Sequence, residues 1–140
     1  MIDSHTHLEH ADEPDAWIDP ARQVGVHGMI SIGCGADSIR RTLEIARRHP
    51  GCVRVGAGVH PMSAAAFDMS TFDEIAQLAR DPFVVAIGET GFDQHHDCGT
   101  IAEQMPAFVA QCQLARALGL PLIIHSRAAG DDTITALREH

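Results

Sequence analysis

The sequence predicts an α/β fold built on a parallel sheet, and three observations carry that prediction. Five short apolar runs rich in Val and Ile recur along the 140 residues. Between them lie segments whose apolar residues repeat with helical period. The runs are continuously apolar rather than alternating, the pattern of strands covered on both faces by crossover helices.

The elements follow in order. Residues 1–5 form the first run and "GMISIG" at 28–33 the second. After Asp37, Ile39, Leu43 and Ala46 share one helical face, and His49-Pro50-Gly51 marks the end of that helix. "VRVGAGV" at 53–59 is the third run. In "STFDEIAQLARDP", Ser70 or Thr71 is the expected N-cap, with Asp73 or Glu74 three residues on as a capping box and Phe72, Ile75, Leu78 and Ala79 as the buried stripe. "FVVAIGE" at 83–89 is the fourth run. Gln104 to Leu118 is the longest expected helix, with Pro106 tolerated in its first turn and Gly119-Leu120-Pro121 as its stop. "LPLIIHS" at 120–126 is the fifth run. Two architectures fit this alternation: an open doubly wound sheet, or the first five strands of an eight-stranded barrel. Length alone favours the open sheet, because a closed barrel needs roughly 250 residues.

Composition narrows the class. A hydrophobic share of 45% supports one real core, so a single domain spanning residues 1–140 is expected. No basic leader and no long apolar run are present, which leads to the expectation of a soluble, cytoplasmic protein. Cys34, Cys52, Cys98 and Cys112 form no CxxC pair and are expected to be reduced and mostly buried. All ten basic residues are Arg, against 19 Asp and Glu, for a net charge of −9. That balance excludes a broad basic surface that grips nucleic acid nonspecifically.

The polar residues of interest fall at the carboxyl ends of the strands, where α/β folds place their chemistry. His5 and His7 close the first run, His60 follows the third in "GVHP", Glu89 closes the fourth in "GETGFD", and His125 closes the fifth in "IIHSR". Strand residues i and i+2 point the same way, so the H-x-H spacing aims two imidazoles at one place. A lone strand histidine is more often a core residue than a ligand, but four histidines and a glutamate ending four strands suit divalent metal. A carboxylate can bridge two ions, so a dinuclear site is expected, supplying the positive charge that the surface lacks. Arg127 could clamp a phosphate or form a salt bridge. His27, His49 and His140 are expected to be solvent-facing or structural, and His10, His95 and His96 to lie in loops near the site.

"DSHTHLE", "GVHP", "AIGETGFD" and "PLIIHSR", in this order, together with Gln104, Phe108, Gln111, Leu114 and Ala115, resemble the TatD-related metal-dependent deoxyribonucleases of the amidohydrolase superfamily. The resemblance implies a TIM-type (β/α)8 barrel, of which this chain holds about the first five β/α units. It also implies two divalent metal ions (Mg, Mn or Zn) and hydrolysis of phosphodiester bonds in DNA, trimmed from the 3′ end. Carried over, His5, His7 and His125 are metal ligands, Glu89 is the bridging and catalytic carboxylate, and His60, Arg127 and Asp93 are substrate-side residues, Asp93 also orienting the site. Thr6 and Glu9 stand where the family often has Cys and Asp, Met62 replaces a frequent second histidine, and "GFDQHH" departs from the common "GLDYY". Two further family ligands, a histidine on strand 6 and an aspartate on strand 8, have no counterpart in residues 1–140. The expectation is therefore a fragment of a longer protein, catalytically impaired alone, with open sheet edges that could self-associate. Alternatives are an amidohydrolase acting on C–N bonds or esters, or a noncatalytic metal-binding half-barrel. A lysine-bridged relative is excluded, since the chain has no Lys.

Overall fold

The computed structural model describes residues 1–140. Five parallel strands, β1 (Ile2–Thr6), β2 (Gly28–Cys34), β3 (Val53–Gly58), β4 (Val84–Asp93) and β5 (Leu122–Arg127), lie side by side in the order β1-β2-β3-β4-β5. A doubly wound sheet reverses direction once, and this one never does. Length alone favoured an open sheet, but the incomplete barrel that the resemblance implies is what the structure has: a parallel five-stranded half-barrel alternating with helices. Right-handed crossovers that always step to the next strand put every helix on the same face. α1 (Asp15–Gln23), α2 (Ala36–Arg48), α3 (Met69–Leu78), α4 (Ile101–Leu118) and α5 (Gly130–Glu139) form that outer layer.

The main core lies between sheet and helices, joining Ile39, Leu43 and Ala46 of α2 and Ile75 of α3 to Val53, Val55 and Ile87 of the strands. A smaller cluster packs Phe92 of β4 against Phe108 and Cys112 of α4 and Ala136 of α5. On the opposite face the sheet curls enough for Ile32 of β2 and Ile123 of β5 both to reach over Gly56 of β3, where an added Cβ would stand 2.9 and 3.0 Å from their Cδ1 atoms. β1 carries no buried residue, and Ile2 is 70% exposed. No helix is long and apolar enough to cross a membrane. The four cysteines are free, two of them buried.

Several boundaries differ from the sequence reading. α1 was not foreseen, because Pro20 interrupts its pattern and Ile18 is its only buried residue. α3 starts earlier than expected, at an N-cap on Asp68 rather than Ser70 or Thr71; the Asp68 carboxylate accepts from the Ser70 amide and hydroxyl and complements the helix dipole. Those two bonds, the hydroxyl first, hold the Asp68 carboxyl below its ordinary value. A depressed folded pKa stabilises above the ordinary value and loses that stabilisation as pH falls through the folded one. Between about pH 5 and pH 3 the melting temperature is therefore expected to fall more steeply for the parent than for Asp68→Asn, as thermal melts at stepped pH would show.

The capping box occurs instead at α4. Thr100 accepts from the Glu103 amide while the Glu103 carboxylate accepts from the Thr100 amide and hydroxyl. The helix consequently begins at Ile101, and Pro106 sits beyond its first turn, within the helix. Thr100→Ala is expected to cost about 1 kcal/mol in urea unfolding. Gly119 ends α4 in the left-handed conformation (φ 67°), as its place after the last periodic residue predicts.

Candidate metal centre

The four histidines and Glu89 converge at the carboxyl ends of β1, β3, β4 and β5. β4 runs to Asp93, four residues past its expected end, because Thr90 to Asp93 pair with Ile124 to Arg127 of β5. Glu89 therefore lies within a strand, buried, with His125 on the neighbouring strand β5. Its two oxygens serve different neighbours: Oε2 lies 3.1 Å from His5 Nε2, whereas Oε1 lies 2.8 Å from His125 Nδ1 and 3.9 Å from His60 Nε2. The His5 and His7 rings meet edge-on with centroids 5.2 Å apart. His5, His7 and Glu89 form one group with donor atoms within 4.8 Å of one another, and His60, Glu89 and His125 form a second, so Glu89 belongs to both.

Two carboxylates fix the outer nitrogens of the rings. Asp93 Oδ2 lies 3.1 Å from His125 Nε2 and 2.8 Å from His96 Nδ1, and Asp93 Oδ1 accepts from the amides of His95 and His96. Burial by itself would raise this carboxyl, but the bonds from the His96 amide and ring, the His95 amide and the His125 ring outweigh it and hold it well below the usual carboxylate range. The ionised Asp93 favours the His125 tautomer with its proton on Nε2; in that tautomer the Nδ1 lone pair faces Glu89 Oε1 at 2.8 Å and His60 Nε2 at 3.1 Å. Two electron pairs at that distance repel unless a cation, a proton or a metal ion, lies between them.

Asp93 was expected on the substrate side and as an orienting residue, and the geometry bears on the second role. Asp93 is fully buried with both oxygens engaged, so its place is behind His125, orienting it. His60 stands inside the cluster, its Nε2 3.1 Å from His125 Nδ1. Its Nδ1 accepts from the Met62 amide, which leaves the ring proton on Nε2. Burial, and secondly the neighbouring His125 ring, push the His60 pKa down, so it is neutral at pH 7. Arg127 is exposed near the site and its guanidinium takes no part in the arginine ion pairs, which use Arg40, Arg47 and Arg48.

Glu9, in the sequence only a departure from a family pattern, is placed against the histidine cluster. Its carboxylate is buried, with Oε1 3.1 Å from His7 Nδ1 and 3.5 Å from His10 Nε2. Ser31 of β2 anchors it, donating to Oε2 and accepting from the Leu8 amide. Glu9 thus stands to His7 as Asp93 stands to His125, a carboxylate on one ring nitrogen that leaves the other without a carboxylate partner. The available signal was its spacing of two from His7. Glu9→Gln keeps the shape and removes the charge; it is expected to weaken Mn²⁺ binding about 10- to 100-fold by calorimetric titration. His49, expected to be structural, lies 2.6 Å from Asp15 on the outer surface.

Comparison with known proteins bears on the whole chain. Residues 2–140 match the family described as TatD related DNase. The 3′-5′ ssDNA/RNA exonuclease TatD of Erwinia amylovora is 36% identical over 133 residues, which cover 95% of this chain and 51% of that protein. Its namesake in Musicola paradisiaca is 38% identical over 133 residues, 95% of this chain and 50% of that protein. Among solved structures, a TatD homolog from Escherichia coli superposes with TM-score 0.91 at 28% identity, covering 100% of this chain and 56% of the other. A hydrolase TatD family protein from Entamoeba histolytica shares the fold, with TM-score 0.88 at 20% identity over 99% of this chain and 54% of its own. The chain spans about half the length of the curated relatives it matches.

Proposed function

This chain belongs to the TatD-related DNase family, and from that membership we propose that it is the N-terminal portion of a metal-dependent (β/α)8 hydrolase that cleaves phosphodiester bonds from the 3′ end of single-stranded DNA. Two divalent ions (Mg, Mn or Zn) would be held by His5 and His7 on one side and His125 on the other, with Glu89 between them. The observation that carries this reading is the division of the two Glu89 oxygens between two imidazole groups. Glu89 Oε1 and His125 Nδ1, 2.8 Å apart, are a donor pair that a proton or a metal ion can bridge. When bound, such ions neutralise phosphate charge and acidify water.

The residues of the chain do the rest. Asp93 and Glu9 hold the ligating rings in one tautomer and one orientation. His60 keeps a proton on Nε2, which faces His125 Nδ1 at 3.1 Å and would turn to a phosphate oxygen of the substrate once a cation takes that lone pair. Arg127 presents a free guanidinium fork to a second phosphate. The net charge of −9 leaves attraction of a polyanion to these few groups and to metal. The test is metal analysis of the purified chain after Mn²⁺ loading, with hydrolysis of end-labelled single-stranded DNA and RNA beside a panel of lactones and amides. Two equivalents of metal and 3′ trimming, weak in this chain and strong in a version extended to the length of the relatives, are expected. Turnover of the lactones or amides alone would overturn the phosphodiesterase reading.

A second reading, self-association through open sheet edges, is favoured by β1, which has no buried residue and exposes Met1 and Ile2. Light scattering after size exclusion separates a dimer from a monomer.

A further inference from the structure

α4 carries two glutamines, Gln104 and Gln111, that are fully buried on its packing face with Phe108, Leu114 and Ala115. An amide buried without partners costs roughly 1–3 kcal/mol, so a packing face should hold apolar residues there unless the amide is fully bonded. Both are. Gln111 Oε1 accepts from the Val59 amide at 2.8 Å, and its Nε2 donates to the Val59 carbonyl at 3.1 Å, the Thr90 hydroxyl at 2.7 Å and the Ala107 carbonyl at 3.0 Å. Gln104 Oε1 accepts from the Asp93 amide at 2.8 Å, and its Nε2 donates to the carbonyls of Asp93 at 2.9 Å and Gly99 at 2.8 Å.

Each side chain thus grips the N–H and C=O of one backbone residue, as a neighbouring strand would. The gripped residues are not arbitrary. Val59 lies just past the end of β3 and immediately precedes His60; Thr90 immediately follows Glu89; Asp93 holds His125. The fold makes room for the first clasp, since an added Cβ at Gly58 would stand 2.5 Å from Gln111 Oε1.

We propose that Gln111 is a positioning residue that sets His60 against Glu89, and that Gln104 is one that sets Asp93 and through it His125, neither touching substrate. The inference rests on the reading that these groups hold metal. Packing of α4 on the sheet would need only apolar residues at both positions. The amides instead tie down the backbone and side chain flanking His60 and Glu89, which stand 3.9 Å apart.

The experiment titrates the purified chain with Mn²⁺ alone, by calorimetry and by loss of the free-ion paramagnetic resonance signal. Gln111→Met and Gln104→Met fill the same space without the bonds. Leu114→Ala destabilises the same helix from the main core without touching either clasp. Thr90→Val, isosteric in a strand, severs only the link from Gln111 to the residue beside Glu89. The methionine variants are expected to bind Mn²⁺ about 10- to 100-fold more weakly. Thr90→Val should lose severalfold, and Leu114→Ala should keep the parent affinity at temperatures where it is folded. Parent-like affinity in the methionine variants overturns the proposal and leaves the metal-centre reading intact; if they do not fold, parent-like affinity in Thr90→Val overturns it. Equal weakening in Leu114→Ala reduces the glutamines to general stability and overturns it as well. A parent chain that binds no Mn²⁺ removes both the proposal and the reading beneath it.

Discussion

Replacing Glu89 by glutamine is expected to weaken binding of Mn²⁺ or Zn²⁺ by more than about a hundredfold, because loss of an outer partner of a ligand already costs 10- to 100-fold. Glu89 is the one carboxylate common to both donor groups, with His5 and His7 on one side and His60 and His125 on the other. Glutamine keeps the size but carries no charge, and half of its head is an N–H donor that cannot ligate. One substitution should therefore reduce both groups, whereas His5→Ala or His125→Ala reduces one. The metal-free variant is expected to melt within a few degrees of the metal-free parent, since an isosteric amide replaces a carboxylate that lacks its cation. Metal analysis after dialysis, paired with a melt in chelator, separates the two effects. Retention of two equivalents by Glu89→Gln would show that the carboxylate does not bridge.

Gly91→Ala is expected to be the most destabilising single methyl addition in the chain, costing at least ~3 kcal/mol in urea unfolding. Gly91 pairs with His125 across β4 and β5, and its φ of 145° is one that side-chain-bearing residues rarely adopt. A Cβ there would stand 1.9 Å from the His125 carbonyl oxygen, so either the strands part or the backbone of β4 rotates. Both movements carry His125 away from Glu89, and metal affinity should fall with stability. Gly119→Ala is the internal comparison: it too sits at positive φ, but nothing lies within 4 Å of the added carbon, and it should cost only about 1 kcal/mol. Equal costs at the two positions would mean that conformation alone, not the closeness of β5, governs Gly91.

The strands and the candidate ligands they carry were legible because both signals are local. Val- and Ile-rich runs mark strands wherever they occur, though the helices cover only one face of this sheet and β1 has no buried residue; a polar residue closing such a run needs no tertiary knowledge to be noticed. Helix starts were less so. Asp68 and Ser70 are both good caps, and the choice between them is made by competition among neighbouring bonds worth only about 1 kcal/mol each. α1 hid behind Pro20 and a single buried side chain. Glu9 and Ser31 are 22 residues apart, and Gln111 is 52 from Val59; neither separation leaves a periodic trace.

By itself the sequence determined the alternation of strand and helix, the family, and which imidazoles and carboxylate stand at strand ends. Strand order, which periodicity and length leave open between half-barrel and doubly wound sheet, followed from the sequence only through the family resemblance, and the tertiary structure displays it directly. The burial of Asp93 behind His125, the entry of His60 into the cluster, and the clasping of the loop ends by α4 were settled only by the tertiary structure. The physical reason is range: hydrophobic period and strand-end position are written in neighbouring residues. Which lone pair faces which proton depends instead on chain segments that meet only after the sheet has curled.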